Sequence, residues 1–124
     1  MSLINSIFRW ILLERMKQVD AFRKSPHEVQ SKLFRENIAK GVNTEWGAEY
    51  GYSPAMSYEE YRKKVPIQDY NSLKPFIERM MLGEENVLWP GIVNWFAKSS
   101  GTTDDKSKFI PISTESLEDS HYKA

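Results

Sequence analysis

A short polar stretch between two apolar runs carries the residues best suited to bind a phosphate. In WFAKSSGTTDDKSKFIPIS, residues 95–113, four hydroxyl-bearing residues surround one glycine, and two lysines follow. A turn that contains glycine can point successive backbone N–H groups at an anion, while hydroxyls add donors and lysines add positive charge. The predicted phosphate-binding residues are Ser99, Ser100, Gly101, Thr102, Thr103, Lys106 and Lys108.

The composition of this stretch leaves a second interpretation open. Ser, Thr, Gly and Asp are also the ordinary residues of a polar hairpin turn. The stretch lacks the Gly-Lys-Ser/Thr run of a Walker A motif, and its single glycine is too few for a dinucleotide-binding fingerprint. The residue types alone therefore indicate either a phosphate site or a surface turn.

The other side chains that could act in binding or catalysis are interpreted as structural. His27 and His121 have no ligand partner at metal-binding spacing, so the sequence predicts no metal held by protein side chains and no catalytic residue. The adjacent Glu84 and Glu85 favour a solvated turn over acid–base chemistry. The tryptophans could stack on a base, but we expect all four to pack in the core or in grooves: Trp10, Trp46, Trp89 and Trp95.

Composition narrows the class of protein. Lys plus Arg and Asp plus Glu both number 17, so the formal charge is zero and no basic excess favours nucleic acid. The absence of cysteine excludes a disulfide scaffold and is compatible with a reducing compartment. The apolar N-terminus is interrupted by Asn5, Arg9 and Glu14, so it is too short and too charged to span a bilayer. We expect a cytoplasmic protein with no nucleic-acid or membrane partner.

The elements that must position the polar stretch are mostly helical. Apolar residues at helical spacing predict an amphipathic helix over residues 3–23, with its apolar face packed in the core. Ser25, Pro26 and Glu28 predict the start of a second helix that Gly41 ends, and the tight link suggests an antiparallel pair. Residues 43–56 are interpreted as a loop, because glycine, proline and aromatic residues alternate there.

The second half of the chain changes from helix to strand. Ser57 and Glu60 predict a capping box for a short helix that Pro66 stops, and Pro75 is expected to open a helix that Gly83 closes. The β-branched and aromatic run 91–99 and the apolar run 108–112 predict two strands that flank the polar stretch. A final helix is predicted from about residue 115. The fold class is therefore α/β, with residues 1–90 mostly helical and residues 91–124 strand, loop, strand and helix.

Two sets of residues form a distinctive pattern. The approach to the polar stretch contributes Val65, Pro66, Tyr70, Leu73, Lys74, Pro75, Ile77, Arg79 and Gly83. The polar stretch itself contributes Ser99, Ser100, Gly101, Thr102, Thr103, Lys108 and Pro111. In both sets the chain resembles the auxin-responsive acyl-acid amido synthetase family, a branch of the adenylate-forming enzymes that include firefly luciferase, and the second set matches the nucleotide-binding pattern of that family. Residues 58–113 carry most of this likeness, and the first 50 residues carry little that is specific.

The resemblance implies a function and a set of ligands. It implies an ATP- and Mg²⁺-dependent ligase that activates a carboxylic acid as its acyl-adenylate and transfers the acyl group to an amino-acid amine. It implies that the polar stretch grips the β- and γ-phosphates, with Lys108 as the cation and Lys106 as second choice. Asp104 and Asp105 depart from the family pattern, which has a glycine there. Two carboxylates near phosphates cost affinity unless they face solvent or meet Mg²⁺.

The order of elements leaves too few strands to close a sheet. We therefore expect residues 1–124 to be the front end of a longer protein. The resemblance implies that they form the N-terminal segment of the large adenylating domain of an enzyme. We expect this piece alone to be inactive. The alternative is a non-catalytic helical interaction module with a polar surface turn. An exposed face of Ile, Leu and Phe side chains would favour that alternative.

Overall fold

The computed structural model describes residues 3–100 and 107–118, which form two compact units. The first unit ends at Glu36 and the second begins at Asn37. In chain order the elements are α1 (Leu3–Lys24), α2 (Pro26–Gly41), α3 (Glu45–Glu49), α4 (Tyr58–Lys64), α5 (Tyr70–Met81), β1 (Trp95–Lys98), β2 (Phe109–Ile112) and α6 (Thr114–Ser116).

Helices α1 and α2 do not pack along each other as an antiparallel pair. The N–H of Ser25 donates to the carbonyl of Ala21 at 2.9 Å, and the N–H of Val29 donates to the carbonyl of Ser25 at 3.2 Å. The first of these bonds is the last of α1 and the second is the first of α2, so Ser25 alone links the two helices. The predicted antiparallel pair is therefore wrong, because two helices that fold back on each other need a longer connecting loop than one residue.

Helix α1 exposes most of its apolar side chains. Phe8 is 64% exposed and Trp10 is 66% exposed, and at least half of each of Ile7, Ile11, Leu12 and Leu13 is exposed as well. The prediction that α1 packs its apolar face into a core is wrong for the described residues. The first unit holds only α1 and the start of α2, and these two helices do not pack along each other, so neither covers the other.

Helix α3 lies in the stretch that was interpreted as a loop. The buried Thr44 side chain caps it: Thr44 Oγ1 accepts from the N–H of Gly47 at 2.9 Å and donates to the carbonyl of Gly41 at 2.7 Å. Its first N–H groups are also satisfied, because Glu45 donates to the carbonyl of Asn86 at 2.7 Å and Trp46 donates to that of Val87 at 3.1 Å. Capping by Thr44 and these long-range bonds explain why a glycine-containing segment forms a helix.

The capping signals of the later helices are partly confirmed. Ser57 and Glu60 form the predicted capping box of α4. Helix α5 begins at Tyr70, five residues before the predicted start at Pro75, because Asp69 and Ser72 form a second capping box. Gly83 closes α5 with a φ of 91°, which is the left-handed conformation expected of a glycine at that position.

The core of the second unit lies between α5 and the residues that lead into β1. Met80, Val87 and Val93 are buried together, with Phe76, Leu88, Trp89 and Phe96 packed against them. Trp46 packs edge-on against Phe76 at 5.5 Å between ring centroids. The expectation that tryptophans pack is thus confirmed for Trp46 and Trp89. It is wrong for Trp10 and for Trp95, which is 58% exposed.

The two strands form an antiparallel hairpin. Trp95 pairs with Ile112, Phe96 with Pro111, Ala97 with Ile110 and Lys98 with Phe109. Each strand is shorter than its predicted run, but the order strand, loop, strand is confirmed. One face packs Phe96 against the core, while the other exposes Trp95 and Ile110. The hairpin therefore brings the two ends of the polar stretch together.

Helix α6 follows β2 directly and is held by charged and aromatic contacts. Ser113 caps it by accepting from the N–H of Ser116 at 3.1 Å. Glu115 accepts from the indole Nε1 of Trp89 at 3.4 Å, and its other oxygen lies 3.9 Å from Lys40 Nζ. A backbone hydrogen bond to its carboxylate is the main cause that lowers the pKa of Glu115. The remainder of the predicted final helix lies outside the described residues.

An ion cluster joins α3 to the end of α5. Arg79 Nη1 donates to Glu45 Oε1 at 2.9 Å, and Arg79 Nε donates to Glu84 Oε2 at 2.7 Å. Hydrogen bonds from the guanidinium lower the pKa of both carboxyls below the ordinary 4.5, and the same bonds raise the pKa of Arg79. Glu84 is therefore paired with Arg79 in the folded chain.

We expect Arg79→Gln to lower the unfolding temperature at pH 7 and to have little effect at pH 3. Both carboxyls have a lower pKa in the folded chain than in the unfolded chain, so the stability they contribute is present above pH 4.5 and is lost as the pH falls below it. Circular dichroism melts at pH 7, 5, 4 and 3 measure the gap between variant and wild type. Lys74→Gln, which breaks an exposed pair with Glu78 on the same helix, is the control. A gap that stays constant down to pH 3 would contradict the assignment.

Candidate functional site

The structure brings Ser99 and Lys108, the two ends of the predicted phosphate-binding stretch, into direct contact. The N–H of Ser99 donates to the carbonyl of Lys108 at 2.9 Å, and the N–H of Lys108 donates to Ser99 Oγ at 3.0 Å. These bonds extend the hairpin by one pair beyond Lys98 and Phe109. We call Ser99, Ser100 and Lys108 the loop base.

The side chains of the loop base have the donor chemistry that an anion needs. The hydroxyl of Ser99 is half-buried and accepts from a backbone N–H, and a hydroxyl that accepts still carries a proton to donate. Ser100 is exposed beside it, and Lys108 is half-buried with its ammonium 5.6 Å from the centre of the Tyr70 ring. Two hydroxyls and one cation are therefore held at the same end of the hairpin.

The middle of the stretch lies outside the described residues. Gly101, Thr102, Thr103 and Lys106 belong to this part, as do Asp104 and Asp105. Their assignment to phosphate binding stays a prediction. His121 lies outside the described residues as well, whereas His27 is an exposed residue of α2.

Tyr70 is a residue of the site that sequence reasoning did not single out for a role there. Its hydroxyl accepts from the N–H of Phe109, the first residue of β2, at 2.9 Å. Its ring lies under the ammonium of Lys108. Tyr70 is 39 residues from Phe109 in the sequence. The capping box of Asp69 and Ser72 is a sequence signal that could have placed Tyr70 at the start of α5, but it does not indicate the contact with β2.

The donor set fits a triphosphate better than it fits a bare metal ion. Hydroxyl and ammonium groups are the donors that phosphate oxygens accept from. Within residues 3–100 and 107–118 no three His, Cys, Asp or Glu side chains are grouped so that they could hold a metal ion. A magnesium ion at the loop base would therefore take its oxygen ligands largely from phosphates and water.

Comparison with solved structures identifies the fold. The chain is similar to an acyl acid amido synthetase, GH3.15, with a TM-score of 0.73 and 22% sequence identity, over 86% of this chain and 20% of that one. Over this N-terminal region, both this chain and the GH3.15 structure consist mostly of helices with a small two-stranded sheet. This confirms the α/β fold class predicted from the sequence, as the N-terminal part of an acyl acid amido synthetase fold.

Comparison with protein families identifies the family. The family model of the GH3 family N-terminal domain matches residues 15–124, so the chain belongs to the GH3 family. It is 27% identical over 107 residues to the indole-3-acetic acid-amido synthetase GH3.2 of Arabidopsis thaliana, covering 86% of this chain and 20% of that protein. It is also 27% identical over 107 residues to the jasmonoyl-L-amino acid synthetase GH3.5 of Oryza sativa subsp. japonica, covering 85% and 18%. The resemblance stated from the sequence is confirmed.

The chain spans about a fifth of the length of these relatives. In the part of the chain that the structure describes, no helix combines the length and apolar character needed to cross a membrane.

Proposed function

We propose that this chain is the nucleotide-phosphate-binding part of an ATP-dependent ligase that joins a carboxylic acid to an amino acid. Two findings support this proposal. The chain belongs to the GH3 family, and its relatives are named as an indole-3-acetic acid-amido synthetase and a jasmonoyl-L-amino acid synthetase. The observation that carries it is the loop base, where Ser99 and Lys108 are hydrogen-bonded to each other at the end of a hairpin.

The proposed chemistry requires a good leaving group on the acid. A carboxylate is a poor electrophile, and its attack on the α-phosphorus of ATP gives an acyl-adenylate and releases pyrophosphate. The amine of the amino acid then attacks the acyl carbon, an amide bond forms and AMP leaves. Negative charge accumulates on the departing pyrophosphate during the first step, and donors that are already oriented toward it lower the barrier.

Each residue of the polar stretch has a part in this proposal. Ser99, Ser100, Thr102 and Thr103 donate hydroxyl hydrogen bonds to the β- and γ-phosphates, and Gly101 allows the backbone to approach them. Lys108 supplies positive charge, with Lys106 as the second candidate. Mg²⁺ neutralises further phosphate charge when it is bound with ATP. The acid and amine are small molecules, and their pockets are expected outside residues 1–124.

An exchange assay tests the proposed function. Radioactive pyrophosphate should be incorporated into ATP by the complete polypeptide only when a carboxylic acid that it activates is present. A panel that includes indole-3-acetic acid and jasmonic acid, each with and without Mg²⁺, identifies the acid. Exchange that is absent with every acid, or that proceeds equally without acid, would contradict the proposal.

We expect residues 1–124 alone to bind ATP weakly, if at all. The loop base offers a few charge-assisted hydrogen bonds, and ordering a polar loop around a ligand costs about 1–2 kcal/mol per residue. Titration calorimetry of this piece with ATP and Mg²⁺ measures the affinity. Micromolar binding would contradict this expectation and would mean that the piece holds more of the nucleotide site than the polar stretch.

The second candidate is a non-catalytic interaction module, and the exposure of α1 favours it. Six large apolar side chains of residues 7–13 are at least half exposed. The apolar face of an amphipathic helix is normally covered by protein. The mass of the native polypeptide separates the two candidates. Several hundred residues beyond these 124 favour the ligase, and a native chain that ends at Ala124 favours the module.

A further inference from the structure

Tyr70 makes two contacts at this end of the hairpin, and the first is a hydrogen bond with the backbone of Phe109, the residue that follows the loop base. Because Ser99 and Lys108 are joined by the backbone bond from Ser99 N–H, the next pair, Lys98 and Phe109, is a non-hydrogen-bonded pair of the antiparallel ladder. The N–H of Phe109 therefore points away from β1 toward the open edge of the hairpin. The hydroxyl of Tyr70 accepts it at 2.9 Å. This bond satisfies a half-buried N–H and fixes the position at which β2 begins.

The second point of contact is between the Tyr70 ring and the ammonium of Lys108. The distance from Lys108 Nζ to the ring centroid is 5.6 Å, within the range of a cation–π interaction. The flexible lysine side chain loses freedom when its head group is held against a ring. The ring therefore limits where the positive charge of the loop base can lie.

Tyr70 itself is held rigidly. It is the first residue of α5, next to the capping box in which Asp69 Oδ1 accepts from the N–H of Ser72 at 2.8 Å. Further along α5, Ile77 and Met80 are buried in the second unit. A side chain at the start of an anchored helix can therefore hold the groups that it contacts in a defined position.

We propose that Tyr70 is a positioning residue for nucleotide binding: its hydroxyl fixes the start of β2 and its ring orients Lys108 toward the triphosphate of a nucleoside triphosphate. This inference rests on the proposed function. It makes the affinity of the polar stretch for the triphosphate depend on α5, an element outside that stretch. Tyr70 acts through Phe109 and Lys108 and does not itself need to contact the ligand.

Substitutions of Tyr70 in the complete polypeptide test the inference. Tyr70→Phe removes the acceptor for the Phe109 N–H and keeps the ring, so the KM for MgATP in the exchange assay should rise about fivefold. Tyr70→Leu removes both contacts and should raise it at least about tenfold. The KM for the acid should stay within about twofold of wild type, since a defect confined to the loop base acts on ATP. A purely structural role would instead lower the active fraction and change neither KM.

Two control variants at Tyr58 and one double variant at Tyr70 and Lys108 test whether the effect on KM is specific. Tyr58 is exposed on α4 with the guanidinium of Arg62 at 5.8 Å from its ring, so Tyr58→Phe removes a tyrosine hydroxyl and Tyr58→Leu also removes a cation–π contact on a different helix. Neither should change the KM for MgATP. In a Lys108→Ala background, Tyr70→Leu should raise the KM by a smaller factor than it does in the wild type, because the ring has lost the ammonium it orients.

The outcomes separate this inference from the proposed function. If Lys108→Ala lowers exchange while Tyr70→Phe and Tyr70→Leu leave the KM for MgATP unchanged, the ligase stands and the role of Tyr70 is overturned. Full additivity in the double variant would overturn the orientation of Lys108 by the ring. Exchange unaffected by Lys108→Ala would overturn this inference, whereas exchange that is absent with every acid would overturn the proposed function. If Tyr70→Leu fails to fold, Tyr70→Phe still tests the hydroxyl: an unchanged KM for MgATP in this variant would overturn the role of the hydroxyl in positioning β2.

Discussion

Replacement of Lys108 by alanine is expected to lower carboxylate-dependent ATP–pyrophosphate exchange at least about tenfold in the complete polypeptide. Lys108 is the cation that the structure places at the loop base, with its backbone bonded to Ser99 and its ammonium against Tyr70. A positive charge that is already oriented stabilises the departing pyrophosphate without reorganisation during the reaction. Thr103→Ala, which removes a hydroxyl proposed to bind the same phosphates, is expected to have an effect of similar size.

Neighbouring lysines provide the controls for this prediction. Lys98 is exposed on β1, one residue before Ser99, and Lys98→Ala should leave exchange within about twofold of wild type. Lys106→Ala should lower exchange less than Lys108→Ala does, since Lys106 is the second candidate. Wild-type exchange in both Lys108→Ala and Thr103→Ala would reject the assignment of the polar stretch. A larger loss in Lys106→Ala than in Lys108→Ala would exchange the roles of the two lysines.

Gly47→Ala is expected to destabilise the chain by about 3 kcal/mol, the largest effect on folding that we predict. A Cβ atom at position 47 would lie 1.9 Å from the carbonyl oxygen of Gly41 and 3.2 Å from Thr44 Oγ1. The nearest atom belongs to the backbone, so a side-chain rotation cannot relieve the clash. The carbonyl of Gly41 also accepts the hydroxyl of Thr44, so any shift would break the buried cap of α3 as well. For a domain of this size the unfolding temperature should fall by more than about 10 °C.

Gly83→Ala is the matched control for the Gly47 prediction. Gly83 has a φ of 91° but nothing within 4 Å of an added Cβ, so alanine there meets backbone strain without a clash. The expected cost is about 1 kcal/mol. Thermal unfolding followed by circular dichroism compares the two variants. Equal losses at positions 47 and 83, or a smaller loss at 47, would show that the approach of α3 to Gly41 is not as tight as described.

The parts of the fold that were predicted from sequence are those set by local signals. The start of α2 at Pro26 and the capping box of Ser57 and Glu60 depend on residues a few positions apart, which a sequence displays directly. Helix α3 was missed because two of its N–H groups bond to Asn86 and Val87, some 40 residues away. The start of α5 was placed too late because Pro75 is a strong helix signal, whereas the weaker box of Asp69 and Ser72 begins the helix.

In the candidate site, too, the local features could be predicted from the sequence and the long-range contacts could not. The closure of Ser99 on Lys108 follows from two apolar runs around a polar turn, which is a local pattern. The role of Tyr70 depends on the packing of α5 beside β2, which no spacing along the chain indicates. The exposure of α1 could not be predicted either, since an amphipathic pattern states that a face will be covered but not which element covers it.

The proposed function depends on the stretch from Ser99 to Lys108 binding the phosphates of ATP. The most direct test is a crystal structure of the complete polypeptide with ATP, Mg²⁺ and no acid. We expect β- and γ-phosphate oxygens within about 3.2 Å of hydroxyl and backbone donors of this stretch, with Lys108 Nζ beside them. A triphosphate bound elsewhere in the protein, with this stretch free of phosphate, would contradict it.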